Sequence, residues 1–143
     1  MLFVRDARRS ARFYESVLGF EEVTADDSAV FLRAAGSENH HDLGLFSVGI
    51  GAPSPPPGAV GLYHLAWQVD SIRDLAVVID VLRSLDAYVG ESDHGATKSV
   101  YGRDPDGHEL EIMWMVPREH WAEFEHSAVV RHLDLEAEIA RWG

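Results

Sequence analysis

The chain has 143 residues, 46% of them hydrophobic and 25% charged, which is the length of one domain with enough apolar material for a core and excludes a disordered or fibrous protein. Twelve Lys and Arg against twenty-four Asp and Glu leave a formal charge of −12, a field that repels nucleic-acid phosphates and anionic lipid. There is no cysteine, so disulfides, thiolate nucleophiles and sulfur-held metals are excluded. Any metal is held by nitrogen and oxygen, and the eight histidines become the candidates. No apolar run approaches the roughly 20 residues that span a bilayer, and Met1-Leu2-Phe3-Val4-Arg5-Asp6 lacks a signal-peptide pattern, which predicts a cytoplasmic protein.

Leu2-Phe3-Val4 reads as a short strand. Asp6 is a candidate N-cap for a helix over residues 7–18, closed by Gly19, with Ala11, Tyr14, Val17 and Leu18 on one apolar stripe and Arg8, Arg9, Arg12 and Glu15 off it. The three arginines read as a solvated helix face. Strands follow at residues 29–33 and 43–48, separated by the polar turn Gly36-Ser37-Glu38-Asn39. These complete a first module of about 1–50. Residues 51–58, Gly-Ala-Pro-Ser-Pro-Pro-Pro-Gly, form an extended linker.

A second module occupies about 60–116. Residues 62–69 predict a strand, Ser71 with Asp74 a capping box, and Ile72, Leu75, Val78, Ile79 and Leu82 a helical stripe. Strands near Tyr88 and Val89, at 97–101 and at 109–115 come next, with Asp104-Pro105-Asp106-Gly107 as a structural turn. A tail over 117–143 predicts partial helix beginning at Pro117 and carries Trp121, Phe124, Leu133, Leu135 and Ile139, to be buried across the mouth of the domain or against a second subunit.

The halves repeat. Asp6 and Asp70, each between a strand and a helix, lie 64 residues apart, and His41-Asp42-Leu43-Gly44-Leu45-Phe46 matches His108-Glu109-Leu110-Glu111-Ile112-Met113 at an offset of 67. The pattern is an internal β-α-β-β-β duplication in a single α+β domain. In the strand of His64, Leu65, Trp67 and Val69 share one face and need the cover of the next helix, which leaves His64 on the opposite, concave side. Leu110, Ile112 and Trp114 turn Glu111 away from the helix in the same manner. His64 alone could be a satisfied interior histidine and Glu111 an ordinary strand carboxylate. A charge set among Leu110, Ile112, Met113 and Trp114 nevertheless costs several kcal/mol unless neutralised, and a cation would answer that cost.

Leu2-Phe3-Val4-Arg5-Asp6, Arg12-Phe13-Tyr14, Leu18-Gly19-Phe20, Tyr63-His64-Leu65-Ala66-Trp67 and the run from Tyr101 to Glu111 together resemble the vicinal oxygen chelate superfamily, which includes glyoxalase I, bleomycin-resistance proteins and extradiol dioxygenases. The resemblance covers about Leu2 to Trp114. It implies two β-α-β-β-β modules in a curved, cup-shaped mixed sheet with helices outside, and places His64 and Glu111 at metal-ligand positions. The extradiol pattern implies Fe(II) or Mn(II) in a two-His-one-Glu triad, with a catecholic substrate, O₂ and a homodimer. The repeat puts the third ligand just ahead of Met1: either the natural chain begins upstream, which the abrupt start of the first strand favours, or the site is incomplete, and a histidine one or two residues before Met1 would nearly settle the choice. Gly44 stands opposite Glu111, where a glyoxalase-like site would place another ligand. By the same resemblance His41 is an acid/base residue, and His94 and Tyr101 hydrogen-bond the substrate and oxygen. Strict alternation from Gly44 selects His40 over His41 unless the chain bends. His94 alone could be a turn residue, Tyr101 a buried ring, and the His40-His41 pair a solvated loop. A glyoxalase-like lyase or isomerase and a metal-free, bleomycin-resistance-like binding protein are the alternative functions. His108, His120, His126 and His132 are read as non-ligands.

Overall fold

The computed structural model describes residues 1–143, the side chain of Glu123 excepted. The chain forms two compact units, Met1–Leu62 with Asp104–Gly107, and Tyr63–Arg103 with His108–Gly143.

The first unit runs β1 (Leu2–Val4), α1 (Ala7–Leu18), β2 (Glu21–Ala25), β3 (Ala29–Arg33) and β4 (Leu43–Ser47). Its sheet order is β1-β4-β3-β2, with β1 parallel to β4 and the other pairs antiparallel. Asp6 caps α1 by accepting from the Arg9 N–H at 3.0 Å, and Gly19 ends it in the left-handed region at φ 66°, where a side chain would be strained. Ala7, Ala11, Tyr14 and Val17 are buried on the helix, which packs on β3 and β4 above the buried Val30, Leu32, Leu43 and Leu45. Each such fully buried aliphatic side chain contributes about 1.5–3 kcal/mol. Tyr14 is 0% exposed and donates its hydroxyl to Asp104 Oδ2 at 3.1 Å; burial, then the Asp104 charge, pushes the phenol above its usual range. Arg5 donates twice to Asp106, from its backbone N at 3.0 Å and from Nη1 at 2.9 Å, so the Asp104–Gly107 turn is fixed by this unit.

β2 is the element that the sequence pattern leaves unassigned. Glu21-Glu22-Val23-Thr24-Ala25 lies at the sheet edge with no buried residue and with a register shift between Glu22 and Thr24, so neither face carries the apolar alternation that marks a strand.

The second unit repeats the order: β5 (Leu65–Gln68), α2 (Ile72–Ser84), β6 (Tyr88–Asp93), β7 (Thr97–Arg103) and β8 (Glu109–Met115), in a sheet β5-β8-β7-β6 with β5 parallel to β8. The shared β-α-β-β-β topology is the duplication expected from the sequence. Ser71 and Asp74 make a reciprocal capping box at the start of α2. Ile72, Leu75 and Leu82 are buried on the helix, which packs on β6, β7 and β8, where Val100, Leu110 and Ile112 are buried. The first strand is shorter than the predicted 62–69. Its ladder with β8 opens at Leu65↔Leu110, so Leu62, Tyr63 and His64 lie ahead of the paired residues.

The tail is helical in pieces. Pro117 precedes a short 3₁₀ turn at Arg118–His120 instead of opening a helix, a second 3₁₀ segment spans Ala122–His126, and α3 covers Leu135–Trp142 with Asp134 as its N-cap. α3 packs on α2, and the Trp142 ring lies 5.9 Å from that of Trp114. Among the described residues no helix is long and apolar enough to cross a membrane.

Candidate metal centre

Alternation in β8 builds the site. Leu110, Ile112 and Trp114 are buried on the α2 side, so Glu111 projects from the other face. The register sets Ala66 on one side of Glu111 and Tyr101 on the other. Ala66 is small, and His64, two residues before it, reaches the carboxylate: Nε2 stands 3.0 Å from Glu111 Oε2, with the two side chains 25% and 13% exposed. Tyr101 donates its hydroxyl to Glu111 Oε1 at 3.1 Å, and the same hydroxyl lies 2.7 Å from His94 Nε2. His94 Nδ1 is 2.8 Å from the Val129 carbonyl. Four of the residues singled out in the sequence, His64, Glu111, Tyr101 and His94, thus form one continuous run inside the second unit.

Burial, and after it the neighbouring Glu111 carboxylate, push the Tyr101 phenol up to about 12, so it keeps its proton across the neutral range. His64 Nδ1 is buried with no hydrogen-bond partner. A histidine serving only the core has both nitrogens satisfied; here one nitrogen faces a carboxylate and the other faces none.

The donor set suits a divalent ion. Two cis ligands about 2.1 Å from one metal at right angles stand about 3.0 Å apart, and the His64–Glu111 separation is 3.0 Å. Imidazole nitrogen and carboxylate oxygen are the donors that Fe(II) and Mn(II) accept. Among the described residues no group of three or more His, Asp or Glu is assembled. Aligning the helix caps Asp6 and Ser71, 65 residues apart, sets Leu2 on Trp67 and their partners Leu45 on Ile112. Gly44 therefore corresponds to Glu111. A Cβ on Gly44 would collide with the Met1 thioether, which fills the place a side chain at 44 would take.

His41 belongs to the first unit. Its ring packs edge-on against Phe31 at 5.0 Å, and its Nδ1 lies 3.1 Å from His40 Nδ1. Phe31 is paired with Gly44 and projects away from α1, so His41 shares the face of Gly44, while His40 is exposed. The alternation that selects His40 does not carry back from Gly44, because β4 begins at Leu43 and the two-residue period ends there. Sequence reasoning missed the Val129 carbonyl and the Asp93–Lys98 pair beside His94, with Lys98 Nζ 2.6 Å from Asp93 Oδ1. The backbone acceptor has no residue signature; the buried, 5% exposed Lys98 does not stand out in a strand of mixed polarity.

Two β-α-β-β-β units, each a four-stranded mixed sheet with a helix on one face, define the vicinal oxygen chelate fold. The chain belongs to the Glyoxalase/Bleomycin resistance protein/Dioxygenase superfamily, whose model matches residues 1–112. It is 30% identical over 129 residues to a catechol-2,3-dioxygenase of Bacillus subtilis (strain 168), covering 84% of this chain and 41% of that protein. It is 27% identical over 122 residues to a manganese-dependent 2,3-dihydroxybiphenyl 1,2-dioxygenase of Geobacillus genomosp. 3, covering 82% of this chain and 36% of that one. The chain thus spans about two fifths of the length of these curated relatives. A solved glyoxylase/bleomycin resistance protein/dioxygenase domain from Frankia sp. EAN1pec superposes with a TM-score of 0.65 at 24% identity, over 80% of this chain and 92% of that one.

Proposed function

We propose that this protein is an extradiol-type ring-cleaving dioxygenase in which His64 and Glu111 are two ligands of a non-haem Fe(II) or Mn(II) ion, acting on a catecholic substrate and O₂. The observation that carries the reading is the His64–Glu111 pair at 3.0 Å with Tyr101 and His94 in line behind it. Relatives named as catechol-type dioxygenases, one of them manganese-dependent, support it.

His64 and Glu111 would hold the ion, which would supply Lewis acidity that lowers the pKa of a hydroxyl bound to it. The chain's residues do the rest. Tyr101, protonated at neutral pH, presents its hydroxyl beside the carboxylate and hydrogen-bonds a substrate oxygen. His94 holds that hydroxyl from behind through Nε2. His41 is assigned as the proton donor and acceptor. Iron content and oxygen uptake with a catechol panel test the proposal: His64→Ala should lose stoichiometric iron and uptake together, and undiminished uptake in that variant would sink the assignment.

A further inference from the structure

The tail packs over the turn that carries His94. Beyond residue 112, where the family match ends, the chain returns over the Asp93-His94-Gly95 turn. Asp93 and Arg131 exchange two backbone hydrogen bonds, each 2.9 Å. The Arg131 guanidinium reaches the other Asp93 carboxylate oxygen at 3.6 Å and lies 5.1 Å from the centre of the Phe124 ring. Phe124 is seated on Gly95, whose φ of 79° requires glycine and whose missing Cβ is what admits the ring. Between these two anchors Val129 turns its carbonyl onto His94 Nδ1 at 2.8 Å.

A carbonyl only accepts, so Nδ1 must carry the proton of the neutral imidazole and Nε2 must present its lone pair. Nε2 then faces the Tyr101 hydroxyl, whose single proton has two acceptors, His94 Nε2 at 2.7 Å and Glu111 Oε1 at 3.1 Å. With the opposite tautomer Nε2 would donate and this choice would vanish.

We propose that Phe124 and Arg131 are positioning residues: they hold the 127–133 strap so that the Val129 carbonyl fixes His94 as its Nδ1–H tautomer, making Nε2 a proton acceptor for Tyr101. The proposal rests on the dioxygenase reading for its catalytic meaning and on geometry alone for the tautomer.

The test is ¹⁵N NMR of the histidine ring nitrogens in the full chain at a pH where the rings are neutral. Wild type should show His94 protonated at Nδ1. Phe124→Ala combined with Arg131→Ala should shift the tautomer ratio about fivefold to tenfold toward Nε2–H, the equivalent of one lost hydrogen bond, with the His64 signals unchanged. Phe124→Leu, which refills the seat on Gly95, should restore the wild-type ratio. In oxygen-uptake assays the double variant should lose about tenfold in kcat with KM within about twofold. Nε2–H in the wild type would overturn the proposal, as would a wild-type ratio in a folded double variant. Because the ring nitrogens are read without metal, catechol or oxygen, absence of oxygen uptake in the wild type would defeat the dioxygenase reading while leaving this measurement to decide the strap's role.

Discussion

Tyr101→Phe separates holding a metal from using it. The substitution deletes one oxygen, which lies 2.7 Å from His94 Nε2 and 3.1 Å from Glu111 Oε1, and leaves the ring in place. An unpaired His94 nitrogen costs about 1–3 kcal/mol, but the variant also escapes the desolvation of a hydroxyl whose burial is the largest cause of its raised pKa. The net is a loss of about 1–2 kcal/mol, or roughly 3–8 °C in Tm for a domain of this size. Glu111 and His64 are untouched, so metal content should match the wild type. If Tyr101 orients the reacting oxygens, kcat should fall about a hundredfold, within the usual range for one acid–base group, with a much smaller change in KM. Metal analysis and an oxygen electrode on the same preparation read both quantities. Wild-type kcat in an iron-loaded variant, or loss of iron in parallel with activity, would refute the assigned division of labour.

Other expectations follow from single contacts. Burial alone would raise the Asp93 carboxyl, but hydrogen bonds from Lys98 and the Gly95 N–H, with the charges of Lys98 and Arg131, outweigh it and hold the pKa below its ordinary value. Its contribution is therefore complete at neutral pH and lost as pH falls below about 4; acid titration of tryptophan fluorescence should show this limb flattened in Asp93→Asn. Ser71→Ala removes the cap accepted from Asp74 N and should cost about 1 kcal/mol in denaturant melts. Gly95→Ala places a methyl where the Phe124 ring sits, at a φ of 79°, and should lower stability by about 1–3 kcal/mol while displacing the tail.

What the sequence made visible here is what has a period. The turning of Glu111 away from Leu110, Ile112 and Trp114 follows from a two-residue repeat, and the site inherits its direction from that repeat. β2 has no such repeat because both its faces are open, so it could be found only by its pairing with β3. His41 and His40 could not be separated by counting, since the residues between the turn and Leu43 lie outside the ladder that makes counting valid. The strap was illegible for another reason: its grip on Asp93 and His94 is made by main-chain groups that every residue possesses.

Gly44 carries a different implication. Positions 44 and 111 correspond in the two units, yet one carries a carboxylate and the other a bare backbone roofed by the Met1 thioether. That roof is a flexible, unbranched side chain, so an acid introduced at 44 would need chiefly to swing a methionine aside, with Phe31 close by at 3.3 Å as the stiffer neighbour. The main steric obstacle to a carboxylate at 44 is therefore one pliable methionine side chain, and the two corresponding positions differ in what surrounds them as well as in what they carry.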